Sequence, residues 1–247
     1  AGQTAYYYPP CDRDFDELAF EAAGDFPYCG MGLVARTSGQ RQRGLCQAPM
    51  RIAFYLQDGV EVLDFAGPME VFSYAGFEVF TVSRTRTPIV SQGILKIVPD
   101  HSIADAPPAD ILAFFGGNSG EPTNDEAVIR WVKDQKERVR YYFSVCTGAF
   151  ILGKAGLLDG QTVTTFHRSI EQLRQAVPKA KVLADVRFVD NGAVITTAGI
   201  SAGIDGALHL VSKLKGKGAA RRVAEYMEYD KWEPEEGLII EEGSTGN

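Results

Sequence analysis

The chain is short of the residues that usually carry metal and acid–base chemistry: 247 residues contain only three histidines and four cysteines. No two cysteines stand at the two-to-four-residue spacing of a zinc site, so no metal centre is expected. No run of 18 apolar residues occurs, so no segment is expected to span a membrane. Basic residues are also in deficit. Lys and Arg number 25 against 32 Asp and Glu, a net charge of −7, which argues against nonspecific binding of nucleic acid. There is no internal repeat and no low-complexity tract.

What is present suits one large α/β domain or two small ones. Residues 1–49 stand apart. They carry aromatic clusters (YYYPP, DFDELAF, DFPYC) and a polar stretch, RTSGQRQRG, with DFDELAFEAAG as a short helix candidate. They read as an N-terminal extension packing on the core. Cys11, Cys29 and Cys46 all fall there, leaving Cys146 alone, so at most one disulfide is expected among those three. The location is open: cytoplasmic, or exported if Ala1 marks a processed signal peptide.

From residue 50 to 230 the pattern becomes regular. RIAFYL (51–56), FEVFTVS (77–83), DILAFFGG (110–117), RYYFSV (140–145) and TVTTF (162–166) read as strands. IVSQGILKIVP (89–99) and RFVDNGAVITT (187–197) read as hairpins turning at Gly93 and at Asp190-Asn191-Gly192. QDGVEVLDFAGP reads as a turn leading into a short helix, MEVFSYA. Further helices are expected over 126–139, 149–158, SIEQLRQAV before Pro178, 201–214 and 218–229. Residues 231–247 form an acidic, polar tail. Strands alternating with helices predict a three-layer α/β sandwich with a mostly parallel central sheet. In such sheets ligands bind beyond the carboxyl ends of the strands. Cys146, Gly116, Gly117 and the loop of Asp64 are expected to meet there.

Cys146 is the most informative residue. A buried-strand pattern ends at Val145 and a helical pattern begins at Ala149, so the chain must turn at the cysteine itself, as at a nucleophile elbow. The thiol is expected to point toward solvent at a helix N-terminus, where unpaired N–H groups favour its thiolate. Gly148 allows the close backbone packing that such a turn needs. A small buried structural cysteine is the competing reading.

LDFAGPMEVF (63–72), FFGGNSG (114–120), SVCTGAFILGKAGLLDGQTVTT (144–165) and TTAGISAGIDGALHLV (196–211) together resemble the ThiJ/PfpI superfamily, whose fold is flavodoxin-like and similar to class I glutamine amidotransferases. Within it the chain is most similar to isocyanide hydratases and to the sensor domains of some AraC-type regulators. The regulators continue into a DNA-binding domain. Fewer than forty residues follow 201–214 here, with no basic recognition helix, so no nucleic-acid partner is expected. The resemblance implies a homodimer, a small-molecule substrate and no cofactor.

It also assigns roles. Cys146 becomes the nucleophile and Asp64 the general acid/base, with helix capping as the alternative for Asp64. Glu61 is a weaker candidate for the same work. Thr147 places its hydroxyl near the site, and its N–H with those of Gly116 and Gly117 would form an anion hole. A simple strand-to-loop turn explains the two glycines nearly as well. Ile200 and Phe166 are candidate apolar walls. The superfamily's T-T-H becomes Thr164-Thr165-Phe166-His167, which moves the histidine by one residue. In a strand that reverses its face, although a bend at the strand end would restore it; this counts against a Cys–His dyad and keeps His167 only as a possible site residue, while His101 and His209 read as surface or helix-face residues. The implied reaction is hydration of an isocyanide to a formamide. A glyoxalase- or amidase-type activity and a redox sensor built on Cys146 are the alternatives.

Overall fold

β-Branched and aromatic residues build the first core strand. The computed structural model describes residues 4–7, 34–37, 49–234 and 237–240. Contacts divide the chain into two units, Ala1–Pro49 and Met50–Asn247. In the first, β1 (Thr4–Tyr7) pairs antiparallel with β2 (Val34–Thr37). Cys11, Cys29, Cys46 and the helix candidate DFDELAFEAAG lie outside the described residues.

The second unit begins with β3 (Arg51–Tyr55) and α1 (Val62–Tyr74). Then come β4 (Glu78–Ser83), the hairpin β5 (Ile89–Ser91) and β6 (Leu95–Ile97), β7 (His101–Ser102) and β8 (Ile111–Phe114). Helices α2 (Gly120–Asn124) and α3 (Glu126–Asp134) lead to β9 (Tyr141–Val145) and α4 (Ala149–Lys154). Next are β10 (Thr162–Val163), α5 (Ile170–Ala176), β11 (Lys181–Val182), β12 (Phe188–Asp190) and β13 (Val194–Thr197). The unit closes with α6 (Ala202–Lys215), α7 (Lys217–Tyr226) and β14 (Leu238–Ile239).

Eight strands form the central sheet in the order β14-β12-β13-β9-β8-β3-β4-β7. β12 and β13 are antiparallel and every other neighbouring pair is parallel. Successive side chains of β3 enter opposite cores, as the period of two requires. Ile52 and Phe54 join Phe72, Leu208 and Val223 of α1, α6 and α7. Ala53 and Tyr55 join Val128, Leu152 and Leu173 of α3, α4 and α5. The result is the expected three-layer sandwich. Both hairpins turn where expected, with Gln92 and Gly93 at φ 45° and 72° and Gly192 at φ 82°.

Three expectations change. The helix assigned to MEVFSYA begins at Val62, so Asp64 sits in a helical first turn rather than a loop. Proline caused the error. Pro68 lies inside α1, where it removes a backbone donor, and it is tolerated because it packs in the core beside Gly203. TVTTF contributes only the two residues of β10, paired with β11 outside the main sheet. Part of the polar tail joins the sheet: Leu238 and Ile239 pair with Val189 and Asp190, making β14 an edge strand.

Of the two placements expected for His209, the helix face holds and the surface does not: it lies on α6 and is buried. Its Nε2 lies 2.7 Å from Asp190 Oδ2, and Lys213 Nζ donates to both carboxylate oxygens at 2.9 Å. These partners hold the Asp190 carboxyl below its ordinary pKa despite its burial. The cluster belongs to the hairpin end of β12, at the opposite end of β13 from the residues that bond Cys146.

Candidate active site

The sheet delivers Cys146 at the carboxyl end of β9. The extended backbone of Val145 gives way to a single 3₁₀ turn, Cys146–Gly148, which runs straight into α4. Cys146 takes φ 59°, a left-handed conformation rare for a residue with a side chain. Such strain costs roughly 1–3 kcal/mol and persists only where neighbours enforce it. Here the Cys146 N–H donates to Ala198 O at 3.1 Å, and its carbonyl accepts from Thr165 Oγ1 at 2.7 Å. Gly148 admits β8 against the turn, since a Cβ there would lie 2.4 Å from Phe114 O.

Asp64 comes from α1 and is wholly buried. Its Oδ2 accepts the Gly116 N–H at 2.8 Å and its Oδ1 the Ile200 N–H at 3.0 Å. A Cβ on Gly116 would stand 2.7 Å from Asp64 Oδ2 and equally close to Cys146 Cβ and Sγ. Only glycine therefore lets the carboxyl and the thiol converge above β8. Each group also shifts the other's titration.

Burial dominates the electrostatics. It pushes the Cys146 thiol up to about 12, and the neighbouring Asp64 charge adds to it, while the Thr147 N–H opposes it. Burial likewise raises the Asp64 carboxyl to about 6, against two backbone N–H bonds that pull it down, with the Glu61 charge pushing it further up. The expectation of a solvent-facing thiolate is therefore corrected. Cys146 is 5% exposed and rests as a thiol, because desolvation and an adjacent carboxylate outweigh one amide of a short helix.

Other candidates fall in different places. The Gly116 amide, expected to face a ligand, is engaged by Asp64 instead. Gly117, at φ 88°, is exposed and bridges to Val60, and a Cβ there would lie 2.3 Å from Gly59 O. The Thr147 Oγ1 is buried and lacks a partner among the described residues. Ile200 enters through its backbone more than its side chain, at φ 59° with its N–H on Asp64. Phe166 packs on Gly199, where a Cβ would lie 2.4 Å from the ring.

His167 begins a 3₁₀ turn after β10 has ended, so the reversal of strand faces does not apply to it. Its ring meets Phe166 edge-on at 4.4 Å between centroids, and it forms no hydrogen bond to Cys146 or Asp64. It lines a cleft of about 390 Å³ with Thr164, Thr165, Asp185, Arg187 and Ala198. Thr165 and Ala198 are the two residues that bond the Cys146 backbone, so this cleft adjoins the elbow.

Sequence reasoning missed Gln57. It is 3% exposed, and its Nε2 donates to Phe115 O at 3.0 Å and Gly116 O at 3.1 Å. The available signal was a long polar residue immediately after a buried strand.

A doubly covered, mostly parallel sheet with a strained cysteine elbow at its carboxyl edge defines an α/β protein with a buried thiol–carboxylate site. The chain belongs to the DJ-1/PfpI family, whose profile matches residues 50–213. It is 34% identical over 185 residues to an isonitrile hydratase of Pseudomonas putida, covering 73% of this chain and 78% of the relative. It is 25% identical over 190 residues to the HTH-type transcriptional regulator GbdR of Pseudomonas aeruginosa (strain UCBPP-PA14), covering 74% of this chain and 52% of the regulator. The chain thus spans about half of that regulator's length. A crystal structure of a ThiJ/PfpI family protein from Pseudomonas syringae superposes with a TM-score of 0.69 at 30% identity, covering 75% of this chain and 77% of that one.

Proposed function

We propose that this protein is a cysteine-dependent hydratase that converts an isocyanide to an N-substituted formamide. One observation carries the reading: a buried thiol and a buried carboxyl meet across Gly116, with the carboxyl tuned to about 6. Such a carboxyl is mostly ionised near neutral pH yet exchanges a proton readily. The similarity to the Pseudomonas putida isonitrile hydratase points the same way.

The sequence of steps follows from those two groups. Asp64 takes the thiol proton as Cys146 Sγ bonds to the terminal carbon of R–N≡C, and the proton then passes to that carbon, giving R–N=CH–S–Cys146. Asp64 next removes a proton from water as the oxygen adds to the same carbon, and the nitrogen is protonated. The tetrahedral adduct R–NH–CH(OH)–S–Cys146 breaks its C–S bond, releasing R–NH–CHO. The proton from its hydroxyl returns to the sulfur, so the net change is one water added. Neither a metal nor an organic cofactor enters these steps. The cleft lined by Thr165, His167 and Ala198 would receive the R group, and a homodimer would complete its outer wall.

A thiol held near 12 is little ionised at neutral pH, which suits base-assisted attack better than spontaneous oxidation of a resting thiolate. The decisive assay mixes the purified protein with para-nitrophenyl isocyanide and follows formamide absorbance. Turnover that is lost in Cys146→Ser and in Asp64→Asn supports the assignment. No turnover by the wild type overturns it.

A further inference from the structure

Asp64 is held by a peptide that is itself held. The Gly116 N–H grips Asp64 Oδ2 at 2.8 Å, and the Gly116 carbonyl accepts from the Glu61 N–H at 3.1 Å and Gln57 Nε2 at 3.1 Å. Gln57 Nε2 also donates to Phe115 O at 3.0 Å. Both neighbours of that nitrogen are carbonyl oxygens, so it must be the donating end of the amide. Its two N–H groups thus pin consecutive carbonyls at the end of β8. The other end of the side chain is left wanting: Gln57 Oε1 is buried with no partner among the described residues. An orphaned buried acceptor is destabilising. The amide is therefore oriented by its donors, which satisfy the Phe115 and Gly116 carbonyls while its oxygen goes without.

We infer that Gln57 is a positioning residue for Asp64, acting through the Gly116 peptide; the inference rests on the Cys146–Asp64 reading of the site. The physical chain is short. Gln57 fixes the tilt of the Phe115–Gly116–Gly117 backbone, and that tilt aims the Gly116 N–H at Oδ2. With the amide gone, the peptide is free to rotate and the bond to the carboxylate lengthens. Because that bond favours the ionised carboxyl, loosening it shifts Asp64 toward the protonated form. The hydrogen bonds of Gln57 go to Phe115 O and Gly116 O and to neither Cys146 nor Asp64, so its hold on the site runs through the Gly116 peptide.

The test reads the site without any isocyanide. Carbamidomethylation of Cys146 by iodoacetamide would be timed by peptide mass from about pH 4.5 to pH 9, where a thiol coupled to a carboxyl shows the titration of the pair. Wild type, Gln57→Met, Gln57→Asn and Asp64→Asn would be compared, with thermal melts alongside. Both Gln57 substitutions are uncharged, so neither moves Asp64 by its own charge. The wild-type rate is expected to inflect near 6, and Asp64→Asn to abolish that inflection. Either folded Gln57 variant should move it upward by about half a unit or more.

An inflection left in place in a folded Gln57 variant overturns the inference, even if its melting temperature falls, because a merely structural residue would lower stability alone. A wild-type profile without the inflection also overturns it. A shifted inflection in a wild-type background that fails to hydrate isocyanides leaves the role of Gln57 standing and removes only the hydratase reading. Where hydration is observed, the Gln57 variants should lose about tenfold in kcat with KM little changed, as for a group that orders the reacting carboxylate and not the substrate.

Discussion

The amide of Ile200 donates to the carboxylate of Asp64 at 3.0 Å across 136 positions of sequence. Asp64 opens α1 and Ile200 stands just before α6, so this bond ties the first turns of two helices that share one face of the sheet. Ile200 pays for it with a left-handed backbone at φ 59°. A strained, β-branched donor and a desolvated acceptor meet where chemistry is proposed, and each is destabilising taken alone.

Asp64→Asn should therefore remove a pH-dependent penalty along with function. In the folded protein the carboxyl titrates near 6 instead of its ordinary 3.8. As pH rises through that window the unfolded chain loses its proton first, so the folded state binds more protons and stability falls with increasing pH. The full penalty, about 3 kcal/mol at neutral pH, is absent in the asparagine variant. Urea denaturation should show the stability of Asp64→Asn relative to wild type rising by about 2–3 kcal/mol between about pH 4 and pH 7, on top of a pH-independent loss because the amide nitrogen cannot accept the backbone N–H that a carboxylate oxygen took. A difference between the two proteins that does not change across this range would contradict the pKa.

Cys146→Ser should abolish turnover while leaving the fold intact. Serine preserves the small side chain at the elbow, and the backbone bonds to Ala198 and Thr165 do not involve the sulfur. A drop of at least about 10³ in kcat with a melting curve close to wild type is the expected pair of results. Substantial residual turnover would remove the thiol from the reaction.

Gly148→Ala tests the elbow itself. An added Cβ would meet Phe114 O at 2.4 Å and Phe115 N at 2.8 Å, both backbone atoms that cannot swing away. Overpacking of this kind costs about 1–3 kcal/mol or more. Denaturant unfolding should show at least that loss, together with slower alkylation of Cys146 as the turn is displaced. Near-wild-type stability would mean that β8 has room to retreat.

Asp190→Ala probes the cluster at the hairpin end of β12. Removing the carboxylate leaves His209 and Lys213 facing a space built for a negative charge. Breaking a buried pair in this way costs about 3–5 kcal/mol. Since the Asp190 carboxyl is held below its ordinary value, its contribution is full above the unfolded pKa and fades as pH falls through the folded one. The variant should lose most at neutral pH and least in acid, with the pH profile of Cys146 alkylation unchanged.

The sandwich was legible because burial writes a local signature. Strands covered on both faces need unbroken apolar runs, as in RIAFYL and DILAFF, and the amphipathic helices between them show their own period. The turn at Cys146 was legible for a similar reason, since no residues were left over between strand and helix. Pro68 misled because its usual effect on a helix is local, while the packing against Gly203 that tolerates it is not. Leu238 and Ile239 were missed because two residues are too few to show a period, and their pairing with β12 is decided across nearly fifty residues.

The amino-acid sequence by itself determined the order of the elements, the place of the strand-to-helix turn at Cys146 and the nearness of Asp64, Gly116 and Cys146, because each follows from local pattern and from the edge of a parallel sheet. Only the tertiary structure decided the state of the thiol. A helix N-terminus argues for a thiolate, yet burial and a desolvated carboxylate across Gly116 hold Cys146 protonated and make Asp64 the group that titrates near neutrality. Desolvation depends on everything that packs around a residue, and no spacing in the chain records it.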